Sequence, residues 1–112
     1  MKAIRAIFRR AMRDQVIDAL ADVPRHSAIG VGDITEFARH PETGELIEVE
    51  MTRLEVEVPD ERVDAVRAVI KEAARTAKGH RGDGKIVVLA LEDWSTIGEG
   101  DRYRHTGVSR HR

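Results

Sequence analysis

Ile47-Glu48-Val49-Glu50-Met51-Thr52-Arg53-Leu54-Glu55-Val56-Glu57-Val58 is the stretch on which the fold turns. Ile47, Val49 and Met51 alternate with Glu48 and Glu50. After Thr52 the phase slips by one, and Leu54, Val56 and Val58 alternate with Glu55 and Glu57. Apolar–polar alternation marks a half-buried strand, and a slip in a period of two predicts a β-bulge. Immediately upstream, His40-Pro41-Glu42-Thr43-Gly44 reads as a turn, because Pro sets φ and Gly can take a positive φ at its end. Before that turn, Ile29, Val31, Asp33 and Thr35 begin a strand that runs through Phe37 toward His40. Residues 29–58 therefore read as one long hairpin.

The pattern extends outward on both sides. Ile4, Ala6 and Phe8 share one face of a first strand, and Ala3 and Ile7 share the other, until Arg9-Arg10 ends it. Met12, Val16, Leu20 and Val23 then recur at helical spacing, and Pro24 stops the helix. Beyond the hairpin, Pro59-Asp60-Glu61 opens a second helix with Asp60 as the expected N-cap and Val63, Val66, Ile70, Ala73 and Ala77 as its buried face. Residues 78–85 form a loop. Ile86 to Leu91 is a continuous apolar run, which predicts a strand buried on both faces. The order β-α-β-β-α-β is the ferredoxin-like split motif, an α+β fold with an antiparallel four-stranded sheet and two helices on one face. Two helices cover one face of such a sheet. The apolar groups on both faces of the first and last strands predict that another subunit covers the second face, in a homo-oligomer for which cyclic three-fold symmetry is a natural closure.

Composition narrows the function. The chain has 112 residues, the size of a single domain, with a core expected over 1–91 and a C-terminal segment over 92–112 read as flexible. Nineteen basic and twenty acidic residues leave a net charge of −1, which argues against a strongly basic nucleic-acid binder. Aromatic residues are 4% of the chain, too few for a base-stacking platform. There is no cysteine, so disulfides, thiolate metal sites and a cysteine nucleophile are excluded. No apolar run is long enough for a membrane span or a signal peptide, and a cytoplasmic location is the expectation.

Few motifs carry chemistry. Residues 79–85 read Gly-His-Arg-Gly-Asp-Gly-Lys, close to a phosphate-binding P-loop, but Ile86 replaces the Ser or Thr that would hold magnesium. The loop also leaves a helix and enters a strand, the reverse of the P-loop order, so an NTPase is rejected. Gly82 and Gly84 nevertheless let backbone amides approach an anion, with Arg81 and Lys85 adding charge. On composition alone the simpler account, a glycine-rich turn with a solvated lysine, carries more weight. Arg102 and Arg104 are two apart and would point to one side of an extended chain, which suits a phosphate or carboxylate. Of the five histidines, His40 and His80 sit in loops and are the candidates for a metal, although no pair has metal-ligand spacing on a helix. No nucleophile, base and orienter come together, so an enzyme is not expected.

With the element order and the loop placed, the chain resembles the PII signal-transduction family, the nitrogen regulatory proteins P-II. The resemblance rests on Met1-Lys2-Ala3-Ile4-Arg5-Ala6-Ile7, on Val16-Ile17-Asp18-Ala19-Leu20-Ala21, and on Val56-Glu57-Val58-Pro59-Asp60-Glu61-Arg62-Val63-Asp64. Its most specific part is Gly82-Asp83-Gly84-Lys85-Ile86, similar to the family's nucleotide loop. The resemblance implies a compact homotrimer with an adenine nucleotide in each inter-subunit cleft. Gly82, Asp83, Gly84 and Lys85 would contact the nucleotide, with Lys85 on the phosphates and Arg81, Arg102, Arg104 and Phe37 contributing. It also implies a partner protein, such as a membrane transporter, engaged by the loop between the second and third strands.

This chain departs from the family in that loop, the T-loop, which is shortened to the turn around Pro41 to Gly44 and has no tyrosine for uridylylation. Glu36 and Ala38 stand where glycines flank the family's phenylalanine, here Phe37, and a carboxylate there would oppose a polyphosphate. His40 takes the place of the glutamine associated with magnesium and 2-oxoglutarate. The nucleotide loop is longer and gains His80 and Arg81, and the C-terminal arginines align only across an insertion. The resemblance therefore implies a divergent member that binds ADP, AMP or ATP rather than sensing 2-oxoglutarate. The alternative is a metal- or small-anion-binding trimer of the same fold, with His40, His80 and His105 as ligands and a link to metal or inorganic-carbon transport.

Overall fold

The structure is a computed structural model of the chain. It describes residues 1–76, 79, 81–95 and 97–98, and of Arg81 the backbone alone. The elements are β1 (Lys2–Arg9), α1 (Arg13–Ala21), β2 (Gly30–Arg39), β3 (Leu46–Val58), α2 (Val63–Ala74) and β4 (Gly84–Ala90). The strands form one sheet in the order β2-β3-β1-β4, with every neighbouring pair antiparallel. This is the expected ferredoxin-like architecture.

The core follows from the two periodicities. On β1, Ile4, Ala6 and Phe8 are buried, and on β3 Leu54, Val56 and Val58 are buried against them. Val16 and Leu20, four apart on α1, and Val63, Val66 and Ile70 on α2 close the same cluster. Fully burying a side chain such as Leu54 contributes about 1.5–3 kcal/mol. The helices also bond to each other. The Gln15 side-chain amide donates to the Ala73 carbonyl at 2.8 Å, satisfying one of the unpaired carbonyls at the end of α2. Ala77, expected on the buried face of α2, lies outside the described residues.

Three expectations need correction. The phase slip in β3 is not a bulge. The register runs unbroken from Lys2 opposite Val58 to Arg9 opposite Met51, and from Gly30 opposite Glu55 to Arg39 opposite Leu46. Instead the apolar stripe changes face at Thr52. Leu54, Val56 and Val58 point at the helices, whereas Ile47, Val49 and Met51 belong to the opposite face. Thr52 marks the crossing: it is fully buried, and its hydroxyl has no hydrogen-bond partner among the described residues.

Asp60 is not a helix N-cap. A 3-10 turn over Asp60–Arg62 precedes α2, and its cap, Pro59, makes no side-chain bond. The Asp60 carboxylate turns instead to β1 and accepts from the N-terminal ammonium at 2.6 Å, with Lys2 Nζ at 3.8 Å. That ammonium holds the carboxyl below its ordinary pKa, with Lys2 adding to the effect.

β4 is not buried on both faces within the chain. It is an edge strand, and Leu89 is 38% exposed. Ala3, Ile7, Val87 and Leu89 share the sheet face away from the core by register. Among the described residues no helix covers that face.

Two features position the rest. β1 ends its pairing at Arg9 opposite Met51, so Thr35–Arg39 and Leu46–Glu50 continue beyond it as a two-stranded arm. Arg10 fastens the arm's root. Its guanidinium donates to Glu50 at 2.8 Å and to the Ile34 carbonyl at 3.1 Å, with Asp33 at 3.6 Å. At the tip, Gly44 has φ +75° and its amide bonds the His40 carbonyl at 2.9 Å.

Candidate functional site

The loop before β4 is built by the sheet register. Phe8 lies opposite Gly84, and Ile7 opposite Lys85, so the start of β4 sits against the end of β1. The approach at Gly84 excludes any side chain. Its φ is +129°, and a Cβ there would fall 1.9 Å from the Ile7 carbonyl oxygen. Glycine is therefore required for β4 to begin where it does. Gly82 is less constrained, since a Cβ there would meet only the end of the Arg9 side chain, at 2.9 Å. Gly79, at φ +82°, turns the chain out of α2 and donates its amide to the Thr76 carbonyl.

Asp83 ties this loop together. Its carboxylate accepts from the Thr76 amide at 2.9 Å, from the Thr76 hydroxyl at 2.7 Å and from Arg9 Nε at 3.1 Å. The side chain is only 13% exposed. A 3-10 turn over Arg81–Asp83 leads into it.

Beside the loop lies a cleft of about 880 Å³ between α2 and the β1–β4 edge, with Asp83, Gly84 and Lys85 in one wall. That volume is within the range of small-molecule sites, roughly 300–1,000 Å³. The lining combines apolar Ile70, Ala74 and Val88 with basic Lys71, and Lys85 borders the cleft at the strand edge, its register opposite Ile7 placing its side chain on the sheet face away from α2. Arg75 is paired with Glu72 at 3.0 Å, whereas Lys71 and Lys85 have no acidic partner among the described residues. Such a surface can receive an anion through backbone amides and a lysine point charge.

The structure brings together Gly82, Asp83, Gly84 and Lys85 and separates other candidates from them. Phe37 is 63% exposed on the arm and does not line the cleft, so one chain alone does not join it to the loop. The Asp83 carboxylate faces Arg9 and Thr76. The Arg81 side chain, and His80, Arg102, Arg104 and His105, lie outside the described residues. His40 serves the arm's turn: its Nδ1 accepts from the Glu42 amide at 3.1 Å and the Thr43 amide at 3.3 Å. Among the described residues no three His, Asp or Glu side chains converge as a metal site.

Sequence reasoning missed Arg9 and Thr76. Arg9 read only as the end of a strand. Its partner is Asp83, and only the strand register reveals the pairing. The spacing of Thr76 from Asp83, a hydroxyl and a carboxylate flanking one loop, was the available signal.

Comparison with known proteins decides the family. The family model for nitrogen regulatory protein P-II matches residues 1–101. The chain belongs to the P-II family. It is 34% identical over 108 residues to a GlnB-like protein of the nifHD2 nitrogen-fixation region in Methanosarcina barkeri, covering 91% of this chain and 98% of that protein. It is 33% identical over 109 residues to nitrogen regulatory protein P-II of Haemophilus influenzae, covering 90% of this chain and 95% of that one. A GlnB-like protein of the nifHD region in Methanothermococcus thermolithotrophicus is 31% identical over 104 residues, covering 90% and 97%. The family model and the Haemophilus influenzae relative both carry the description of a nitrogen regulatory protein. Among the described residues no helix is long and apolar enough to cross a membrane.

Proposed function

We propose that this P-II protein is a homotrimeric regulator that binds an adenine nucleotide at the loop of Gly82, Asp83, Gly84 and Lys85. Occupancy is passed to a partner protein, such as a transporter, through the β2–β3 arm. The observation that carries the nucleotide reading is the anchored glycine-rich loop, with an exposed Lys85 that has no acidic partner among the described residues, beside a cleft. Gly82 and Gly84 let the phosphate approach the backbone amides, and Lys85 supplies a compact positive charge to it. The sheet face with half-buried Ile7 and Val87 and exposed Leu89 supports the trimer, because a further layer would remove those side chains from water. In such an assembly a neighbour brings Phe37, Arg102 and Arg104 to the loop.

Glu36 beside Phe37 favours ligands of lower negative charge, ADP or AMP, over ATP. Occurrence of two relatives in nitrogen-fixation regions supports nitrogen metabolism as the setting. The test is a set of thermal melts with ATP, ADP, AMP, cyclic AMP and 2-oxoglutarate. A ligand at 100 times its Kd adds about 2.7 kcal/mol of stability, a shift of about 10 °C in a chain this size. The expected result is such a shift with ADP or AMP and none with 2-oxoglutarate. A flat nucleotide panel overturns the reading.

A further inference from the structure

We propose that Asp83 is the positioning residue of the phosphate loop: it holds Thr76 and Arg9, and its carboxylate does not touch the ligand. The inference rests on the nucleotide reading for its consequence, and on the hydrogen bonds of the loop for its geometry. Three donors of the described residues reach the carboxylate, the Thr76 amide, the Thr76 hydroxyl and Arg9 Nε, at 2.7–3.1 Å. They belong to the exit of α2 and the end of β1, while Asp83 itself ends the 3-10 turn just before β4. One side chain therefore closes residues 76–83 at their base.

Two consequences follow. The first is tolerance. With the base closed by Thr76 and Asp83, and Gly84 locked against Ile7, residues between them can vary in number without moving Gly82 to Lys85. The second is preorganisation. Amides fixed before the ligand arrives need no ordering on binding, and that saving appears as affinity.

The role predicts a sign opposite to simple electrostatics. A carboxylate beside an anion site repels the anion, so on charge alone Asp83→Asn tightens phosphate binding. As a positioning group it must accept from every donor around it. An asparagine presents an NH2 to one of them, setting donor against donor, and the loop loosens.

The test uses the full chain, with ADP as probe in calorimetric titration and amide hydrogen exchange on the unliganded protein. Asp83→Asn is expected to weaken ADP about tenfold, the effect of losing one charge-assisted bond. Thr76→Val keeps the amide bond and all charges and is expected to weaken ADP severalfold, whereas Thr76→Ser restores wild-type affinity. In both weakened variants, exchange at 82–85 rises while exchange in α1 and β2 is unchanged. Equal or tighter ADP binding by Asp83→Asn, with unchanged exchange at 82–85, overturns the proposal. Should Asp83→Asn fail to fold, the Thr76→Val and Thr76→Ser pair decides alone. Should the wild type bind no nucleotide, the functional reading falls, and exchange at 82–85 still decides whether Asp83 holds the loop.

Discussion

The glycine-rich loop before β4 and the β2–β3 arm are held in opposite ways. The loop is pinned along its exit: Gly84 lies in backbone contact with Ile7, and Asp83 draws in donors from two other elements. Among the described residues the arm is fastened to the rest of the fold at its root, and along its length its two strands hold one another. Arg10 clamps the root, His40 and Gly44 shape the tip, and between them Phe37 and Leu46 stand 63% and 58% exposed. Fixed amides suit a small anion that must find them in place. Exposed apolar side chains on a thin ribbon suit a surface that awaits a larger partner. A regulator needs both, a rigid receiver and an adaptable transmitter.

The largest effect is expected where the loop is tightest. Gly84→Ala forces a Cβ against the Ile7 carbonyl at a φ that side chains rarely adopt, and should cost about 3 kcal/mol or more in chemical unfolding. A loss below about 1 kcal/mol would mean that the loop is not pinned there. Next is the arm's root. Arg10→Ala removes the bonds to Glu50 and the Ile34 carbonyl and should cost about 1–2 kcal/mol, discounted for partial exposure, with faster hydrogen exchange confined to 34–39 and 46–51. Exchange rising equally in the phosphate loop would merge the two regions and break the contrast.

Thr52→Val should do the reverse and stabilise by about 1 kcal/mol, because it replaces with a methyl a buried hydroxyl that has no partner among the described residues. A destabilised variant would show that the hydroxyl is satisfied. The smallest effect belongs to the arm's exposed side chains. Phe37→Ser and Leu46→Ser should leave unfolding within about 0.5 kcal/mol of wild type, since these residues are largely in water already.

The contrast between the two regions also explains what the sequence could show. Element order was readable because each element has a buried stripe: Val16 and Leu20 four apart, Leu54, Val56 and Val58 two apart. The glycine-rich loop was readable because glycine and lysine clusters are local. The arm misled. Polarity along β3 reports which face is apolar, not how strands pair, and beyond β1 the helices no longer lie beneath it. The stripe there moves to the other face with no break in register, which imitates a bulge. Asp60 misled in the same way, since a carboxylate beside a helix start reads as a cap until the fold brings the N-terminus to it. Arg9 was invisible as a site residue, because its bond to Asp83 exists only once Phe8 pairs with Gly84.

The central claim is that the pinned loop receives a nucleotide phosphate through Lys85. Calorimetric titration of ADP into wild type and Lys85→Ala tests it most directly. Lys85 is exposed and has no acidic partner among the described residues, so the variant should melt like wild type. Saturable binding is expected in the wild type, weakened at least tenfold in Lys85→Ala, the order expected for losing one charge-assisted phosphate contact. Equal binding by the two proteins, or none by the wild type, would contradict it.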